Sequence, residues 1–291
     1  MSFVRSLILA ITRKRTKSPT DGSSIDPMED PNTEMAEMGF LDHLEELRWV
    51  ILKGGIGILT CTFGAVFFRK WIINVLLLGP KSPDFFMYKV LGISATEFTL
   101  QNRTITGQFF ADIGTVLAVG IIMGSPIVVY FVWKFIEPGL YKNEKAGLRF
   151  SAVFATFFFM LGISFGYLII TPLALQFFAQ YSISPEIINQ FDITRYFSMV
   201  TFWSFGVGVL FELPVVIYFL AKLGLATPAG LRKARKYALI SCLILAAFFT
   251  PPDPVSQILV ATPLLLLYEG SIGIAVIVQR RRDRELEKAL A

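Results

Sequence analysis

Phe150–Phe178, FSAVFATFFFMLGISFGYLIITPLALQFF, decides the fold: it runs without an aspartate, glutamate, lysine or arginine. A helix needs about 20 apolar residues to cross the hydrocarbon of a bilayer, and this stretch is longer than that. Five more apolar segments accompany it, at about 50–68, 113–136, 196–223, 237–250 and 257–278. Leu, Val, Ile and Phe dominate them without the alternation of a barrel strand, so they read as helices.

Composition agrees. Hydrophobic residues make up 54% of the 291 residues and charged residues only 17%, against about 25% charged in an average soluble domain. Twenty-eight phenylalanines exceed what one soluble core holds. Cys61 and Cys242 both lie inside apolar runs, and His43 is the one histidine. That excludes a disulfide framework and a zinc or multi-histidine site, so no metal and no cofactor is expected. The net charge of +5 comes from basic residues flanking apolar runs, which fits membrane topology and not nucleic acid.

Residues 1–37 read as a polar, disordered extension, 38–280 as a six-helix membrane domain and 281–291 as a charged tail. The run Leu7–Ile11 is followed, not preceded, by most of its basic residues, which is the wrong order for a secretory signal. The connections that share a side with both termini carry 18 Lys/Arg, and the opposite side carries six. Basic residues accumulate on the inner side, so both termini are expected in the cytoplasm.

Pro126, Pro172, Pro214 and Pro263 fall inside four of the segments. Each removes a backbone donor and tends to kink its helix, so a concave bundle is expected. The fifth segment is short, and the turn Pro251–Pro254 follows it. The last hairpin should therefore stop short of the far interface, with the bilayer thinned beside it. The small-residue pairs Gly120/Gly124 and Gly162/Gly166 are expected to pack the second helix on the third. The fold class is all-α and polytopic: six transmembrane helices, several kinked at proline, with a short last hairpin.

Several polar residues need a reason. Glu212 lies in mid-segment beside Pro214. A carboxylate at that depth reads as a proton or ion site, a docking point for a partner helix, or a satisfied structural group. Glu269 is ambiguous in depth, Asp112 reads as solvated at a helix mouth, and Lys53, Lys134 and Lys222 as snorkelling near helix ends. Asp42 and Glu46 share a face of a helix that enters the membrane, and Glu144 sits in a short basic loop.

These residues fall into ordered motifs. His43-Leu44-Glu45-Glu46-Leu47-Arg48, Val132–Glu144, Phe211-Glu212-Leu213-Pro214, Leu231-Arg232-Lys233 and Thr250-Pro251-Pro252-Asp253 together resemble TatC, the six-helix core subunit of the twin-arginine protein translocase. The resemblance covers most of the chain. It implies a receptor, not an enzyme, in the bacterial inner membrane, powered by the proton-motive force. In the family, glutamates matching Glu46 and Glu144 help bind twin-arginine signal peptides of folded cargo. Arg48, Phe135, Pro138, Leu140 and Tyr141 would complete that path. Glu212 and Pro214 would meet single-helix partners of the TatA or TatB type, and the subunit would form homo-oligomers in the bilayer. His43, Arg232, Pro252 and Asp253 belong to the motifs without an implied contact. A guanidinium fork suits a carboxylate better than a lysine point charge does, which fits two arginines to two glutamates. The competing reading is a proton-coupled secondary transporter or channel using Glu212. Few other mid-membrane polar residues support it, and no residue group has catalytic spacing.

Overall fold

The computed structural model describes residues 40–136 and 145–290; the 1–37 extension lies outside them. The chain forms two compact units, Met1–His43 and Leu44–Ala291, and the packing below lies within the second.

The order of elements is α1 (Phe40–Trp71), α2 (Phe86–Leu91), β1 (Leu100–Gln101), α3 (Gly107–Ile136), α4 (Lys145–Phe165), α5 (Thr171–Gln180), β2 (Phe191–Asp192), α6 (Ile193–Leu210), α7 (Leu213–Lys222), α8 (Pro228–Lys233), α9 (Arg235–Phe249) and α10 (Pro254–Leu290). All six expected segments are helical, and most extend past their expected limits. The first begins before residue 50 because the motif around Glu46 is already part of α1. The residues expected as a separate tail from 281 continue α10 to Leu290. Among the described residues, five helical stretches are long and apolar enough to cross a membrane. The sixth, α9, has 15 residues, about 22 Å at ~1.5 Å per residue. It turns back through Thr250–Asp253 into α10, as the short hairpin requires.

Each proline acts differently. Pro126 leaves the carbonyl of Ile122 without its usual N–H donor, and the Ser125 hydroxyl donates to that oxygen instead at 2.7 Å. Helix α3 therefore stays continuous through the proline. Pro172 follows a wide π-helical turn, Gly166–Ile170, where the Thr171 hydroxyl donates to the Gly166 carbonyl at 3.0 Å. Pro214 does more than kink: the fourth segment divides, with α6 ending at Leu210 and α7 starting at Leu213. Pro263 lies inside the unbroken α10.

The core centres on α6. Tyr196, Phe197, Val200, Trp203 and Val207 are buried against Ile170, Ala174, Ala246 and Val260. The glycine pairs do pack helices within the chain, but on other partners than expected. A Cβ on Gly124 would lie 2.9 Å from the Cα of Ile58 in α1. A Cβ on Gly162 would lie 2.8 Å from the Cα of Gly208 in α6, and one on Gly166 2.9 Å from the Cα of Ser204. Gly162 and Gly166 thus close on the central helix α6, and Gly124 closes on α1.

The connections between α1 and α3 and between α5 and α6 are tied together. The strands β1 and β2 pair in parallel, Leu100 opposite Phe191 and Gln101 opposite Asp192. The hydroxyls of Tyr88, Tyr167 and Tyr196 donate to the carbonyls of Pro80, Leu76 and Leu77. Buried Gln176 accepts from the Thr96 N–H at 2.7 Å. Asp192 caps α6 by accepting from the backbone N–H groups of Thr194 and Arg195. The Arg195 N–H foremost, with those of Arg103 and Thr194, holds the Asp192 carboxyl below the usual aspartate range.

Candidate functional site

Glu46 projects from the start of α1 and is half-buried. Its Oε2 is buried and has no hydrogen-bond partner among the described residues. A buried carboxylate oxygen without a donor is costly, so the position is suited to receive one. Arg48, two residues on, is exposed. One turn further, the Lys53 ammonium lies 5.8 Å from the Trp49 ring and 5.9 Å from the Phe131 ring of α3. The apolar stem of Lys53 thus joins the start of α1 to the end of α3, where Phe135 is half-buried. Pro138, Leu140, Tyr141 and Glu144 lie outside the described residues, as do the side chains of His43 and Lys134.

The second constellation surrounds the break in the fourth segment. Glu212 occupies the turn between α6 and α7, and its backbone carbonyl accepts from Val215 and Val216 at 3.0 Å. Its Oε1 is buried and has no hydrogen-bond partner among the described residues. The structure therefore provides no internal hydrogen bond for that oxygen, which counts against a satisfied structural carboxyl. Pro214 is buried in the first turn of α7, and Phe211 packs its ring 5.6 Å from that of Phe165.

Leu210, two residues before Glu212, lines an apolar groove of about 530 Å³ with Ile121 of α3, Phe205 of α6 and Leu245 and Phe248 of α9. A second hollow of about 310 Å³ adjoins it and shares Ala118, Thr201 and Phe202. Thr115 and Ser198 line that hollow, and the Thr115 hydroxyl is buried without a hydrogen-bond partner among the described residues. Sequence reasoning missed this groove. The available signal was weak: Thr194, Ser198 and Thr201 recur at helical spacing within an apolar segment.

Of the remaining motif residues, Asp253 serves the scaffold, and Arg232 and Pro252 lie at its surface. Arg232 is exposed in the last turn of α8, while the neighbouring Leu231 carbonyl accepts from the Tyr268 hydroxyl at 2.8 Å. Pro252 is exposed in the turn before α10. Asp253 caps that helix, accepting from the Ser256 N–H at 2.7 Å. That bond holds the Asp253 carboxyl below the usual aspartate range. Two acids are paired with partners that no local pattern signals. Asp112, expected to be solvated, meets Arg69 at 3.1 Å, and Glu269 meets Arg235 at 2.7 Å. No cluster of metal ligands occurs among the described residues.

A bundle of apolar helices, each but one long enough to cross a bilayer, with a buried carboxylate oxygen unpartnered among the described residues at one end and another at the helix break, is that of a multi-pass membrane protein. The family of Sec-independent protein translocase proteins (TatC) matches residues 42–263. Relatives named Sec-independent protein translocase protein TatC include one from Aquifex aeolicus, 35% identical over 87% of this chain and 100% of that protein. Another, from Blattabacterium of Periplaneta americana, is 34% identical over 86% of this chain and 99% of that protein. A crystal structure described as the twin arginine translocase receptor TatC superposes with a TM-score of 0.64 at 34% identity, covering 81% of this chain and 99% of that one. The chain belongs to the TatC family.

Proposed function

We propose that this protein is the receptor core of a twin-arginine translocase, binding the signal peptides of folded cargo at its Glu46 end. The observation that carries the reading is the Oε2 of Glu46, buried and without a donor at the mouth of α1 in a TatC-family chain. An arginine guanidinium supplies the missing hydrogen bonds with a complementary charge. Glu144 receives the second arginine, and Arg48, Phe135, Pro138, Leu140 and Tyr141 border the peptide's path. Glu212 and the groove beside Leu210 receive a single-helix partner of the TatA or TatB type, and the subunit works as a homo-oligomer. The basic bias supports cytoplasmic termini in a bacterial inner membrane. Transport draws on the proton-motive force, with no covalent chemistry in this subunit.

A photoreactive twin-arginine peptide, offered to membranes containing the protein, tests this. It is expected to crosslink near Glu46 in the wild type and to lose that crosslink in Glu46→Ala at unchanged protein level. Undiminished crosslinking in Glu46→Ala would place the receptor site elsewhere.

A further inference from the structure

The start of α9 carries a second feature, independent of the signal-peptide reading. The segment Arg232-Lys233-Ala234-Arg235-Lys236-Tyr237 joins α8 to α9 and holds four cations in six residues. Arg235 is spent on Glu269 at 2.7 Å, and both side chains of that pair are about half exposed. Arg232, Lys233 and Lys236 are exposed and have no acidic partner among the described residues. Tyr237 beside them is 74% exposed.

The depth of this cluster follows from helix lengths. Arg235 starts α9, and the stretch of α10 from Pro254 to Tyr268 matches α9 in length, so the Arg235–Glu269 pair marks one level on both helices. Fifteen residues of α9 reach about 22 Å, against about 30 Å of hydrocarbon. With this charged end at one interface, the Thr250–Asp253 turn falls roughly 8 Å short of the other. Half-exposed charges cannot rest among lipid tails without large cost, so the pair holds this end at headgroup level.

We propose that Arg232, Lys233 and Lys236 form a headgroup site for anionic phospholipids at the charged end of the α9–α10 hairpin. The array is held in place and is not a loose basic tail. The Thr227 hydroxyl caps α8 by accepting from the Gly230 N–H at 3.1 Å, and Tyr268 fixes the Leu231 carbonyl. Three unneutralised cations favour a lipid of net negative charge over a zwitterionic one, and Tyr237 sits as aromatic residues do at headgroup level. On the proposed topology the lipid belongs to the cytoplasmic leaflet.

Native mass spectrometry of the full-length protein, offered phosphatidylglycerol and phosphatidylcholine in equal amounts, tests the site. The wild type is expected to retain phosphatidylglycerol by roughly tenfold or more over phosphatidylcholine. Arg232→Gln/Lys233→Gln/Lys236→Gln should bring that ratio near parity, while Lys233→Arg/Lys236→Arg keeps it. Lys70→Gln/Lys81→Gln/Lys89→Gln removes the same charge at the other end of the helices and should leave the ratio unchanged. Millimolar inorganic phosphate should not displace the lipid, nor should an equal amount of a glutamate-rich peptide. The proposal is overturned by a wild type without preference or by equal loss in both triple glutamine variants. Displacement by free phosphate or by the acidic peptide, which would reassign the surface to a soluble anion or a protein, overturns it too.

Discussion

Just past α1, at Leu76, Leu77 and beyond, tyrosines and a buried glutamine close on backbone groups; at its other end, Glu46 keeps a buried oxygen without a partner among the described residues. The first end joins two long connections through β1 and β2 and satisfies the backbone groups of Leu76, Leu77 and Thr96. Such networks rigidify, because each satisfied buried group would be costly to strand. The second end retains capacity for a donor that comes from outside. The difference separates residues that hold the bundle from residues proposed to meet a ligand, and it makes opposite forecasts for substitutions at the two ends.

The largest effect on stability is expected at Gln176. Replacing it with Leu strands the Thr96 N–H and carbonyl, both of which it now bonds. The loss should be about 2–4 kcal/mol, seen as a lower thermal midpoint in detergent with peptide affinity per folded molecule unchanged. A Gln176→Leu variant of wild-type stability would erase the contrast between the ends. Next comes Glu212, whose buried Oε1 makes no hydrogen bond that its removal could break. Glu212→Ala should accumulate normally and weaken crosslinks to the proposed single-helix partner, while Glu212→Gln, which keeps the shape, is tolerated better. Failure of Glu212→Ala to accumulate would make the carboxyl structural.

The smallest effect belongs to Asp253. Its pKa is lowered in the folded state, so the cap contributes fully above the ordinary aspartate value near ~4 and fades as the pH falls through the lowered one. Asp253→Ala should cost about 1 kcal/mol or less at neutral pH, because the group is solvent-screened. Melting curves of the variant and wild type should converge in acid. A gap that persists in acid would mean that the charge is not what caps α10.

Much of this was legible in the sequence because apolar length and motif order are local properties. Phe150–Phe178 announces a membrane helix by itself, and Glu46, Glu212 and Asp253 are marked by their neighbours. What escaped depends on contacts far apart in the chain. Nothing near Asp112 points to Arg69, and nothing near Glu269 points to Arg235. The glycine pairs announced close packing, but that Gly124 meets α1 and Gly162 and Gly166 meet α6 is encoded in no local pattern. Pro214 signalled a bend, whereas division of the helix at Phe211 and Glu212 became visible only with the backbone in place.

The central claim is that Glu46 and Glu144 jointly receive an arginine pair, and binding measured as a cycle tests it most directly. Each of Glu46→Ala and Glu144→Ala should weaken a twin-arginine peptide by roughly five- to 150-fold, as charge-assisted bonds of about 1–3 kcal/mol imply. Replacing both peptide arginines by lysines should reduce wild-type binding strongly, yet cost far less against the double alanine variant. Equal arginine-to-lysine penalties against the wild type and the double variant would contradict the account.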